Sequence, residues 1–316
     1  MQSNLEFIQS LPTTAEARRE ELVQGLLQPT PHIAPKFLYD ALGSKLFEAI
    51  TELDEYYPTR TETAIFRRHL DEMAQACGIG QTLVDLGAGN CAKAARLFDA
   101  LRPSLYVAVD IASDFLRGAL SELQSRHPQL PMLGLGLDFT AALEFPPQAG
   151  DGRRLMFYPG SSIGNFTPEA ATAFLGRVRA SAPGGALLIG VDLVKPAALL
   201  EAAYDDALGV TAAFNLNLLR HVNRLLGSDF DVRQWRHVAF YDADQARIEM
   251  HLEARCDLLV KWPGGRLSRR AGERVHTENA YKYSVEGFAT LLRRAGYSDS
   301  RCWTDPQGWF AVFVAH

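Results

Sequence analysis

The residues of this 316-residue chain that could do chemistry begin with Val84-Asp85-Leu86-Gly87-Ala88-Gly89-Asn90. An apolar run ending in Gly-x-Gly lets the backbone approach a ligand closely, because a Cβ at either glycine would block it. Gly87, Gly89 and Ala92 also satisfy the spacing of a dinucleotide-binding loop, so the loop announces a nucleotide without choosing it. Asp110 ends the next apolar run, where a carboxylate can accept from both ribose hydroxyls. Asp138-Phe139 follow the third run. They suit an adenine, with the carboxylate on the exocyclic amine and the ring beside the base.

Composition narrows the classes. A net charge of −5 argues against a nucleic-acid partner, since phosphate binding needs a basic surface. The basic stretch Lys261 to Arg274 contains Trp262-Pro263-Gly264-Gly265 and reads as a solvated hairpin. Cys77, Cys91, Cys256 and Cys302 lie far apart, without a CxxC pair or a histidine at ligand spacing, so we expect no metal and a reducing compartment. The amino-terminal segment carries charge and lacks the apolar core of a signal peptide. No apolar run approaches the roughly 20 residues that span a bilayer. The expectation is a cytoplasmic monomer acting on a small molecule, with no membrane partner.

The elements that must position these residues alternate. Residues 1–60 read as helices and loops, with helical spacing at Thr14–Leu27 and Lys36–Ile50 around a proline-rich break. From Thr61 onward, helices at Glu62–Cys77, Ala92–Leu101, Ser113–His127 and Pro168–Ala180 interleave with short apolar runs. Those runs are Thr82–Leu86, Leu105–Val109, Met132–Leu137, Leu155–Tyr158 and Ala186–Val191. Such alternation implies a parallel sheet covered on both faces. After Asp192 come helices at Ala197–Leu208 and Thr211–Leu226, then an antiparallel stretch from Trp235 to Tyr283. Helix Val285–Ala295 and two closing strands, Tyr297–Trp303 and Trp309–Val314, finish the sheet.

Two features choose the nucleotide. A closing hairpin of this kind is typical of methyltransferases that use S-adenosylmethionine (SAM) rather than of dehydrogenases. Asp85 matches an acidic position that in that class sits near the methionine moiety of SAM. Together these features predict an α/β fold with a Rossmann-like class I SAM-dependent methyltransferase core over 61–196 and 285–316. A second, smaller α+β substrate-binding domain is expected from 1–60 and 197–284, with the site between the two. The expected cofactor set is Asp85, Gly87, Gly89, Lys93, Asp110, Asp138, Phe139 and Gly160, with S-adenosylhomocysteine as its product.

Longer strings carry a resemblance. Pro35-Lys36-Phe37-Leu38-Tyr39-Asp40 with Gly43-Ser44-Lys45-Leu46-Phe47, and Glu55-Tyr56-Tyr57-Pro58-Thr59-Arg60-Thr61-Glu62, resemble the histidine-specific Nα-methyltransferases of ergothioneine biosynthesis. So do Tyr158-Pro159-Gly160-Ser161-Ser162-Ile163-Gly164-Asn165-Phe166, Gly190-Val191-Asp192-Leu193-Val194-Lys195, and Ala203-Tyr204-Asp205-Asp206 leading to Phe214-Asn215-Leu216-Asn217. The similarity covers nearly the whole chain in order. It implies conversion of L-histidine to its Nα-trimethyl betaine, hercynine, with three SAM molecules. Asn165 and Tyr204 match the positions that hold the carboxylate and amine end of the amino acid. Tyr56, with Tyr39 and Phe47 nearby, matches the wall against which the amine is aimed. Glu278 matches the carboxylate that binds the imidazole, and Met250 lines the same pocket.

One departure bears on the substrate. Two residues after the glutamate the family commonly carries a serine that also bonds the ring; this chain has Ala280. Losing such a bond weakens discrimination by roughly 1–3 kcal/mol. A ring-modified histidine, tryptophan or another amino acid is therefore the alternative substrate. A SAM-binding scaffold without turnover has no need of the polar set Tyr56, Asn165, Tyr204 and Glu278, and a NAD(P) oxidoreductase would need a hydride-transfer acid that is not evident.

Overall fold

The computed structural model describes residues 4–9, 14–141, 143–150 and 152–316. In chain order the elements are β1 (Leu5–Gln9), α1 (Ala15–Leu26), α2 (Ala41–Thr51), α3 (Tyr57–Cys77), β2 (Thr82–Leu86), α4 (Ala92–Ala95), α5 (Phe98–Leu101) and β3 (Leu105–Asp110). Then come α6 (Ser113–Arg126), β4 (Met132–Gly136), β5 (Arg154–Tyr158), α7 (Pro168–Ala180), β6 (Ala186–Asp192), α8 (Ala197–Tyr204) and α9 (Val210–Leu226). The chain finishes with β7 (Trp235–Asp242), β8 (Arg247–Ala254), β9 (Leu258–Trp262), β10 (Gly265–Arg269), β11 (Arg274–Tyr281), α10 (Val285–Arg294), β12 (Ser300–Thr304) and β13 (Phe310–Ala315). Two compact units result: one holds β1, Pro58–Val194 and Lys282–His316, the other α1, α2, the chain up to Tyr57, and Lys195–Tyr281. None of the described helices is long and apolar enough to cross a membrane.

The first unit is built on an eight-stranded sheet in the order β1-β4-β3-β2-β5-β6-β13-β12. Strands β1 to β6 run parallel, and the β12–β13 hairpin closes the sheet antiparallel to β6. Strands β2 and β6 are buried at every position because helices cover both faces. Val84, Leu86 and Val107 pack with Phe174 and Leu175 of α7 and Phe288 of α10. On the opposite face Leu83 and Tyr106 pack with Ile65 and Met73 of α3 and Leu116 of α6. Thr167 caps α7 by accepting the Ala170 N–H, with Pro168 at its first turn, which fixes where that helix starts.

In the first unit two local readings change. The amino-terminal segment, expected as helix and loop, contributes β1, whose Leu5–Gln9 pair in parallel with Met132–Gly136. Glycines in β4 permit the match: a Cβ at Gly134 would lie 2.4 Å from Phe7 Cδ2. The single helix expected over Ala92–Leu101 is instead the two turns α4 and α5, with the Leu97 N–H bonded to Ala94 O.

The second unit carries a three-stranded antiparallel sheet, β11-β8-β7, and the hairpin β9–β10. Helix α9 buries Phe214, Asn215, Leu218, Leu219 and Val222 along one stripe. Helix α8 stops at Tyr204, short of the expected Leu208, because the Asp206 carboxylate accepts the Val210 and Thr211 N–H groups and starts α9. Asp40 likewise divides the expected Lys36–Ile50 helix: its Oδ1 accepts the Gly43 N–H at 2.7 Å, leaving a 3₁₀ turn at Pro35–Leu38 before α2. The basic stretch forms the β9–β10 hairpin, turning at Gly264 with a φ of 90°.

Candidate active site

The residues expected to hold the cofactor include several that gather where the parallel strands end. Gly87 and Gly89 adopt left-handed φ of 73° and 53°, the region a Cβ disfavours. Over Gly89 a Cβ would meet nothing within 4 Å, so that face of the loop is open, whereas Gly87 lies against the Phe139 ring. Phe139 in turn packs edge-on to Tyr158 and against Phe174. Asp110 Oδ2 accepts the Gly89 N–H at 2.9 Å, and its Oδ1 accepts the Ala112 N–H at 2.8 Å. The carboxylate thus ties the glycine loop to the end of β3, and burial raises its pKa. Asp138 Oδ1 accepts the Thr140 N–H at 3.1 Å, which turns the chain behind Phe139.

Asp85 sits beneath this loop and is 1% exposed. The Tyr106 hydroxyl donates to its Oδ2 at 2.8 Å, while Oδ1 is buried with no hydrogen-bond partner among the described residues. Burial pushes the Asp85 carboxyl up to about 7, against the lowering effect of the Tyr106 bond. Lys93 Nζ donates to Glu62 Oε2 at 2.7 Å, and Glu62 Oε1 accepts the Gly160 N–H at 2.8 Å. A Cβ at Gly160 would lie 2.8 Å from Lys93 Nζ. An open glycine face, an orphaned buried carboxylate oxygen and an ammonium laid over a glycine fit the charged methionine end of SAM. No group of three or more His, Cys, Asp or Glu among the described residues is arranged to hold a metal ion.

In the second unit an aromatic cluster assembles from three separate stretches of sequence. Tyr39 meets Phe47 at 5.6 Å between ring centroids, Phe47 meets Tyr56 at 6.2 Å, and Tyr56 meets Tyr204 at 6.3 Å. Phe214 of α9 touches both Tyr39 and Phe47, a member of the cluster that the sequence reading did not include. Its spacing within an amphipathic helix reads as core. Tyr57, next to Tyr56, accepts a hydrogen bond from buried Lys195 at 2.8 Å. His237 was missed too: its Nε2 lies 2.8 Å from Tyr204 O and its Nδ1 2.9 Å from Asn215 Nδ2, which locks the end of α8.

Glu278 and Met250 are cross-strand partners on β11 and β8, and both are buried. Ala280, also buried, lies opposite Ile248 on the same ladder. Asn165 ends a 3₁₀ turn after β5 and belongs to the first unit, unlike the other amino-acid-site candidates.

A doubly wound sheet closed by an antiparallel hairpin, with a left-handed glycine loop and a strand-end carboxylate for a nucleoside, defines a class I SAM-dependent methyltransferase. The chain belongs to the histidine-specific, SAM-dependent methyltransferase family, whose model matches residues 18–316. It is 40% identical over 310 residues to the histidine N-alpha-methyltransferase of Mycolicibacterium smegmatis, covering 96% of each chain. Identity to the Mycobacterium tuberculosis protein of that name is 39% over 316 residues, covering 95% of this chain and 94% of the relative. Ergothioneine biosynthesis protein 1 of Neurospora crassa is 31% identical over 318 residues, spanning 96% of this chain but 35% of that longer protein. The chain is an N-methyltransferase that uses SAM.

Proposed function

We propose that the enzyme methylates the α-amine of L-histidine, stepwise, to give hercynine. The observation that carries this reading is Glu278, a buried carboxylate paired across the ladder with Met250. A carboxylate held on a buried sheet face can accept a charge-assisted N–H bond from an imidazole, which an apolar side chain would not offer. SAM supplies an electrophilic methyl on a sulfonium, and the amine must attack it unprotonated and in line. Asn165 and the Tyr204 hydroxyl would orient that amine through neutral oxygens, which do not repel the cation that forms. The rings of Tyr39, Phe47 and Tyr56 would face the methylated ammonium intermediates, which aromatic faces favour. Lys93, held by Glu62 beside Gly160, would meet the cofactor's carboxylate, and Asp85 its ammonium.

A second reading is the same chemistry on another or ring-modified amino acid, favoured by the absence of a hydroxyl at Ala280. The deciding experiment is mass spectrometry of a free amino-acid panel incubated with enzyme and SAM. Histidine gaining three methyls supports the first reading; modification of a different amino acid in preference to histidine replaces it. Glu278→Ala should lower histidine kcat/KM by about one to two powers of ten, because a charge-assisted bond is worth roughly 1.5–3 kcal/mol. Ala280→Ser should tighten histidine binding if a hydroxyl there reaches the ring, and should cost activity if the pocket is shaped for another side chain.

A further inference from the structure

The face on which Glu278 stands is decided by one inserted residue. Along the β8–β11 ladder Arg274 pairs with Glu253, Val275 with Leu252 and His276 with His251. The register then shifts, so that Glu278 faces Met250, Asn279 faces Glu249 and Ala280 faces Ile248. Directly opposed residues on an antiparallel pair share a face of the sheet, and successive residues alternate. Met250 and Ile248 therefore share one face, and Glu249 and His251 the other, where Glu249 is bonded to Arg247 and to His251. Had the ladder continued in register, Thr277 would oppose Met250. Glu278 would then oppose Glu249, on the wrong face and against a like charge.

The extra residue of this bulge is Thr277. It is fully buried, and its hydroxyl donates to Met250 O at 3.0 Å. A bulge interrupts the ladder's hydrogen bonds, and buried backbone groups need partners. The Thr277 side chain meets that need at the residue opposite Glu278.

We propose that Thr277 is a positioning residue for substrate specificity: by fastening the bulge to the Met250 carbonyl, its hydroxyl keeps Glu278 on the Met250 face, directed at an N–H-bearing side-chain ring of the amino-acid substrate. The assignment rests on the reading of Glu278 as the ring-binding carboxylate. Thr277 acts through Glu278 and touches no substrate itself.

The test compares Thr277→Val, which keeps the shape without the hydroxyl, with Thr277→Ser, which keeps the hydroxyl, in the full chain with SAM. Thr277→Val should lower histidine kcat/KM about tenfold, chiefly through KM, and narrow the preference for histidine over tryptophan and phenylalanine. The affinity for SAM should stay within about twofold, and Thr277→Ser should restore most of the preference. In a Glu278→Ala background Thr277→Val should add nothing further, because two residues acting through one contact are not additive. Thr277→Ala replaces the valine variant if the latter is not recovered folded. A lowered melting temperature with unchanged histidine KM and preference would reduce Thr277 to a structural residue and overturn the proposal. If Glu278→Ala alone leaves histidine kinetics unaltered, it is the reading of Glu278 that fails, whatever Thr277 does.

Discussion

Glu62, 1% exposed, grips Lys93 with one carboxylate oxygen at 2.7 Å and the Gly160 backbone N–H with the other at 2.8 Å. One buried carboxylate thereby fixes a side chain from the glycine-loop helix and the loop after β5. A Cβ at Gly190 would lie 2.0 Å from Glu62 Oε1, so the strand beside it leaves the carboxylate room. Glu62→Gln keeps an acceptor for Gly160 but loses the charge that holds Lys93. We expect SAM affinity to fall by about threefold to tenfold, within the range of a lost charge-assisted bond. Gly160→Ala should fall further, since its φ of 76° is unfavourable and its Cβ would displace Lys93. Calorimetric titration with SAM checks both, and unaltered affinity in both variants would remove Lys93 and Gly160 from the cofactor set.

Asp85→Asn separates cofactor binding from stability. Burial raises the folded carboxyl to about 7, above its ordinary value of 3.8. Between those values the folded state holds a proton that the unfolded chain releases, so stability declines as pH rises through the window. Asparagine removes that penalty. The variant should melt a few degrees higher than wild type at pH 8 and no higher at pH 4. If the orphaned Oδ1 accepts from the cofactor's ammonium, the same variant should bind SAM about tenfold or more weakly. A melting difference that does not change with pH would show that Asp85 ionises without cost.

Histidine protonation gives an acid-side dependence of the opposite sign. His237 Nε2 faces Tyr204 O, and the Asn215 amide that meets Nδ1 also donates to His251 O at 3.0 Å. Both carbonyls only accept, so we assign the proton to Nε2 and leave Nδ1 bare. Burial lowers the pKa of His237 below 6.5, partly opposed by the Tyr204 carbonyl and by Asp205 and Asp206. The unfolded chain therefore binds the extra proton first, and stability falls as pH drops below 6.5. In His237→Gln the side-chain amide can still donate to Tyr204 O but does not titrate. The wild-type melting temperature should fall more steeply than that of the variant between pH 7 and pH 5. Parallel curves would count against a buried neutral His237.

Asn165→Ala and Tyr204→Phe test the amine end. Both residues are assigned to the amino acid and not to the nucleotide, so turnover should drop, by about tenfold or more, while SAM affinity holds. Equal loss of SAM binding in both variants would move them to the cofactor.

The glycine loop and the strand-end carboxylate were legible in the sequence because their signals are local. The turn from β2 needs glycines at Gly87 and Gly89, and Asp110 falls at the end of a strand that its own apolar run marks. The closing hairpin likewise showed in Val285 to Val314. What local pattern left open depends on partners far away in the chain. Leu5–Gln9 is a strand through its pairing with β4, where Gly134 leaves room for the Phe7 ring, and five residues have too little period to show that alone. The aromatic cluster draws Tyr39, Tyr56, Tyr204 and Phe214 from stretches that spacing cannot connect. Sequence also named Glu278 without fixing its direction. Strand side chains alternate with a period of two, so the single extra residue at Thr277 reverses the face of everything after it. The buried hydroxyl that stabilises that shift bonds to a carbonyl on another strand, and only the folded sheet brings the two together.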